Sequence, residues 1–120
     1  MARRPVQSFR DFLVDLESVA VAWDEPKRRV NLVKHGFDFR DVVSLLPEAV
    51  ISPARTVGGE ERWMGTNVLQ GTTITAIFTF RAESCRLISV RKARAGERRR
   101  YQAVHARRTQ EDGGGGGDPH

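Results

Sequence analysis

Ten residues, Thr72 to Arg81, constrain this chain more than any others. Ile74, Ala76, Phe78 and Phe80 recur with period two, and Thr, Ile and Phe favour the pleated state. Such a segment is a strand with one apolar face, and a single strand cannot bury that face alone. Neighbours supply partners. Val50–Ser52, Arg62–Val68 and Arg86–Lys92 also read as strands, set apart by Pro53, Gly58-Gly59, Gly71 and the short stretch Ala82 to Cys85. In the last strand, Ile88 and Val90 are expected on one face and Leu87, Ser89 and Arg91 on the other. Short connections predict an antiparallel meander.

Ahead of the meander, Phe9, Phe12, Leu13 and Leu16 have helical spacing, which predicts a helix over 7–17. Val19 to Trp23 reads as a strand. Asp24 is placed to cap a helix with Pro26 in its first turn, and Gly36 to end it after Lys34 and His35. Val30 and Val33 are then expected to face the core. Asp38 is placed to start a second helix that buries Phe39, Val42, Val43 and Leu46 before Pro47 stops it. A last helix is expected from Ala93 to Arg107, loosely held because large apolar residues are scarce on it. The expectation is an α+β domain: a small antiparallel sheet packed against two N-terminal helices, with a basic C-terminal helix. A chain of 120 residues leaves room for one such core. Residues 1–18 form an N-terminal extension, 19–108 the domain, and 109–120 a Gly-rich tail expected to be disordered.

The net charge of +5 is unevenly spread. Arg86 to Arg108 holds nine Lys or Arg against the single acid Glu97, a sum of +8, so the rest of the chain sums to −3. That asymmetry points either to a polyanion or acidic partner, or to a solvated basic helix. Arg10, Asp11, Asp15 and Glu17 interrupt the N-terminus, so no signal peptide is expected, and no apolar run is long enough for a membrane span. Cys85 is the only cysteine, which fits a reducing cytoplasm. His35, His105 and His120 are far apart, and neither HExxH, a cysteine pair nor a glycine-rich phosphate loop occurs. No metal and no cofactor are expected.

RNA can be cut without a metal. A base takes the proton of the ribose 2′-OH, cations stabilise the growing phosphate charge, and an acid protonates the leaving 5′ oxygen. The chain offers His35, Glu97 and Tyr101 for protons, and several arginines, Arg62 and Arg91 among them, for phosphate. Arg91 alternates away from Val90 and so belongs in a cleft or in solvent. Arg62, on another strand, is placed to join it across the sheet. Structural alternatives stay open: His35 answers to a helix dipole, Trp23 and Trp63 to a core, and Glu97 to pairing with Arg94, Arg100 or Tyr101 on its own helix.

Three stretches resemble the BrnT family of bacterial toxins. They are WD-x-x-K-x-x-x-N-x-x-KHG at Trp23 to Gly36, E-x-R-W around Arg62 and Trp63 followed by Gly65, and S-x-RKA-x-x-x-ER-x-x-Y at Ser89 to Tyr101. The resemblance implies a compact unit similar to RelE-type ribonucleases, cofactor-free endoribonuclease activity on RNA that inhibits translation, and a partner antitoxin. The antitoxin would be DNA-binding and BrnA-like, and operator DNA would be bound only through the complex. It also implies that Arg62, Arg91 and Lys92 act on the phosphate. The antitoxin is expected to occupy or displace the basic C-terminal helix. The alternative, from another class, is a non-catalytic nucleic-acid or antitoxin-binding module that acts as a co-repressor.

Overall fold

The computed structural model describes residues 20–81 and 84–113. The helix expected over 7–17, the rest of the extension, and residues 114–120 of the tail lie outside the described residues. Strand β1 (Ala20–Trp23) leads into helix α1 (Glu25–His35). Two 3-10 turns follow at Phe39–Asp41 and Val43–Leu45. Then come β2 (Val50–Pro53), β3 (Trp63–Leu69), β4 (Thr72–Arg81), β5 (Ser84–Lys92) and helix α2 (Ala95–Gly113).

The sheet order is β1-β5-β4-β3-β2. The meander β2 to β5 is antiparallel, as expected, but β1 runs parallel to β5, so the sheet is mixed. The expected helix arrangement is corrected too. Among the described residues only α1 precedes the meander as an α-helix, and the longest helix, α2, is C-terminal. Residues 38–46 do not form an α-helix. Asp38 accepts from the Arg40 backbone N–H at 2.9 Å and starts a 3-10 turn instead. That tight path still buries Phe39, Val42 and Leu46.

These three side chains meet the apolar face of β4. Ile74, Ala76 and Phe78 are fully buried there with Ile51, Cys85, Leu87 and Val90. Gly65 lies opposite Ala76, and a Cβ at that position would come within 3.3 Å of Ala49, Ile51 and Phe78, so the close packing depends on a bare α-carbon. Cys85 is on β5 rather than in a turn, and burial pushes its thiol up to about 12.

A bulge re-phases β5. Ile77 pairs with Ser89 and Phe78 with Leu87, which leaves Ile88 without a partner. Leu87 and Val90 therefore share the core, against the simple alternation that grouped Val90 with Ile88. Arg91 does alternate away from Val90. Val30 and Val33 are the other correction. They are 63% and 89% exposed, while the buried residue of α1 is Asn31.

Candidate functional site

The first motif divides by what its side chains touch. Trp23 packs edge-on against Phe39, with centroids 6.2 Å apart. Its Nε1 donates to Glu25 at 3.0 Å, and Arg28 binds both Glu25 oxygens and, at 3.0 Å, Asp38. This cluster locks the start of α1 to the turn beyond it, and Arg28 foremost, then Trp23, draws the Glu25 carboxyl down to about 2. Asp24, expected as the cap, is extended there and makes no side-chain cap bond. Gly36 ends α1 as expected, with φ +82° and its N–H donating to Leu32 O at 2.9 Å.

Asn31 joins α1 to the sheet. Its Oδ1 accepts from Val90 N at 3.0 Å and from Ser89 Oγ at 3.3 Å, while its Nδ2 donates to Phe37 O. β1 ends opposite Leu87, so the next outward N–H of β5 needs a partner from elsewhere. Sequence reasoning quoted this asparagine but gave it no role. The signal was a polar residue inside a helix that had to pack on something.

Lys27, Lys34 and His35 remain. Among the described residues no hydrogen bond or ion pair engages them. They line a cleft of about 300 Å3 between α1 and β5, with Val30, Ile88 and Ser89. The first and last motifs thus meet in space.

A second centre lies two residues further along β5. Arg91 Nη1 and Nη2 donate to Glu97 Oε1 and Oε2 at 2.9 and 3.0 Å, a paired fork-to-carboxylate contact. Glu97 also accepts from Thr75 Oγ1 at 2.8 Å and from Arg94 N at 2.9 Å, and the second of these closes the first turn of α2. Thr66 bonds Thr75 behind it at 3.0 Å. Glu97 is buried, yet Arg91 above all holds its carboxyl down at about 2. Its main partner is therefore on the strand, outside its own helix. Nη1 of Arg91 also donates to Lys92 O, which leaves two of its five N–H groups uncommitted.

Tyr101 sits one turn beyond Glu97, stacked on His105 at 5.6 Å, with its hydroxyl 3.4 Å from Asn67 Oδ1. Lys92 is exposed at the end of β5. Further contacts pin α2: Arg100 to Ser52 Oγ and Arg108 to Glu48 O, both at 3.0 Å. A cleft of about 460 Å3 remains between α2 and β2. The helix is held by polar contacts rather than by an apolar face.

Arg62 does not join Arg91. Trp63 pairs with Phe78, whereas Arg91 pairs with Thr75. Three residues of β4 separate those rows and Arg62 lies one further, so the two arginines are roughly 13 Å apart along the strand direction alone. Arg62 sits beside Glu60 at 3.6 Å, which also binds Arg81 at 2.8 Å, and the Arg62 Nε is buried without a hydrogen-bond partner. The structure therefore joins Arg91 to Glu97, turns Lys92 to the opposite face of β5, sets the Tyr101 hydroxyl against Asn67 on β3, places His35 in the cleft beside Ser89, and leaves Arg62 apart.

The described residues form a small α+β domain in which Lys27, Lys34 and His35 line one cleft, the setting of a basic binding site. Residues 23–97 match the family described as the ribonuclease toxin, BrnT, of type II toxin–antitoxin systems. The match covers more than half of the 120 residues, and the chain belongs to this family. Tyr101 lies beyond it. No curated protein matches the chain. Among the described residues no helix is long and apolar enough to cross a membrane.

Proposed function

We propose that this chain is an endoribonuclease toxin that cuts RNA without a metal and so slows translation. A DNA-binding, BrnA-like antitoxin restrains it, and operator DNA is bound only through their complex. Family membership supports the ribonuclease reading. The observation that carries the rest is the common face of β5. Ser89 in the cleft and Arg91 of the ion pair lie two residues apart on that face, about 7 Å along the strand. A phosphodiester lying there meets Lys27 and Lys34 on one side and Arg91 on the other, with Lys92 turned to the opposite face of the strand.

Each side chain then has a task. The lysines and the two uncommitted N–H groups of Arg91 hold phosphate oxygens as charge grows on them. His35 moves the proton, since an imidazole nitrogen within the cleft can accept one and return it. Glu97 is too strongly acidic to serve as the base, and it positions Arg91 instead. Tyr101 takes no step here, because its hydroxyl lies 3.4 Å from Asn67 Oδ1 on β3, two strands from that face. Arg62 has no part in this arrangement.

The test is purified protein and a single-stranded RNA in the presence of a chelator, alongside induction in cells with growth and RNA integrity followed together. Fragmentation and arrest are expected, both lost in His35→Ala. RNA that stays intact, or cleavage undiminished in that variant, would overturn the reading.

A further inference from the structure

The outward face of α1 is not accounted for by any fold contact. Val30 is 63%, Leu32 39% and Val33 89% exposed on a helix of eleven residues. Single exposed apolar residues need no explanation. Here Val30 and Val33 are three residues apart, hence neighbours on the helix surface, and Val30 continues into the cleft whose floor includes Pro26 and the bulged Ile88. Lys27 and Lys34 flank that strip about 10 Å apart along the helix. The nearby acid Glu25 is already taken by Arg28 and Arg29, so the charge the strip presents is positive.

RNA explains the lysines but not the valines. The cleft lining contains no Phe, Tyr or Trp on which a base could stack, and a β-branched side chain offers a nucleotide no hydrogen bond. A protein segment with apolar residues between carboxylates explains both. α2, the other basic surface, is less suited to yield to a partner, because Glu97 fastens its first turn to Arg91 and Thr75.

We propose that the antitoxin docks an acidic, apolar-studded segment on the outward face of α1. It seats apolar side chains on Val30, Val33 and Ile88 and carboxylates on Lys27 and Lys34, and it closes the cleft over His35. The neutralising effect rests on the reading of that cleft as the RNA-handling site. The docking does not.

The experiment measures binding of the purified chain to the antitoxin encoded beside it, with no RNA present, for the wild type and Val33→Asp. Val33 lies outside the cleft and at the surface, so the variant should melt with the wild type and cut RNA at the same rate. The expected result is affinity lowered at least tenfold, chiefly through faster dissociation, and growth arrest that co-expressed antitoxin no longer relieves. Val33→Ser, which adds no charge, should show a smaller loss in the same direction and replaces Val33→Asp if that variant misfolds. Unchanged affinity in both overturns the proposal. Loss of RNA binding with antitoxin affinity intact assigns the face to RNA, and a free chain that is dimeric until Val33 is changed assigns it to a second copy. Both outcomes also overturn it. If the chain proves to lack ribonuclease activity, the binding result still decides the docking.

Discussion

The two helices are both attached through a buried polar side chain, yet the attachments differ in kind. α1 uses Asn31, a neutral amide that finishes the hydrogen bonding of β5, and turns its valines outward. α2 uses Glu97, an ionised carboxylate that needs Arg91, Thr75 and its own first turn to offset the cost of burial. The amide is self-sufficient once bonded, whereas the carboxylate depends on one cation. α1 is therefore free to present a surface, and α2 is committed to organising a charged centre.

The contrast can be broken first at the carboxylate. Arg91→Ala should lower unfolding free energy by about 3 kcal/mol, because it strands a buried negative charge. A solvated surface arginine would instead cost within about 0.5 kcal/mol. Denaturant melts check it, and a cost under about 1 kcal/mol would mean that water reaches Glu97. Asn31→Ala should cost less, about 2 kcal/mol, by leaving Val90 N–H and Phe37 O unpaired. If it costs as much as Arg91→Ala, charge is not what separates the two attachments.

Acid sharpens the comparison. The folded-state pKa of Glu97 is depressed, so its contribution is complete above the ordinary value of 4.5 and is lost as pH falls toward about 2. A pH series of melts should show wild type losing stability across that window, and Glu97→Gln should flatten part of the slope. Asn31→Ala should keep the wild-type slope, since an amide does not titrate there.

Two smaller effects test α1 alone. Gly36→Ala should cost about 1 kcal/mol, since its φ of +82° disfavours any side chain. Val33→Thr should stay within about 0.5 kcal/mol by thermal melt, as expected of an exposed position. A larger loss there would mean that Val33 packs against something in the free chain.

How much was legible beforehand follows from the range of each interaction. The strands and their turns could be read from alternation, and Gly36 as a helix end from its lack of a Cβ. These are local rules. The bulge at Ile88 could not be read, because it appears only when β5 is set against β4, and it re-sorted Leu87 and Ile88. Val30 and Val33 misled for a related reason. Helical spacing identifies an apolar face but not which face meets the sheet, and the unfilled N–H of Val90 made Asn31 the better contact. The 3-10 turns at 39–45 likewise depend on packing against β4.

The chemistry divides the same way. The residue types for handling a polyanion, and the family, were in the sequence, because a motif of fixed spacing survives without coordinates. Their grouping was not. Only strand register separates Arg62 from Arg91, and only the parallel pairing of β1 with β5 ends where Asn31 can reach across. That glutamate and arginine six residues apart should face each other was decided by the turn from β5 into α2, since the energy of a buried charge depends on where the whole fold places its partner.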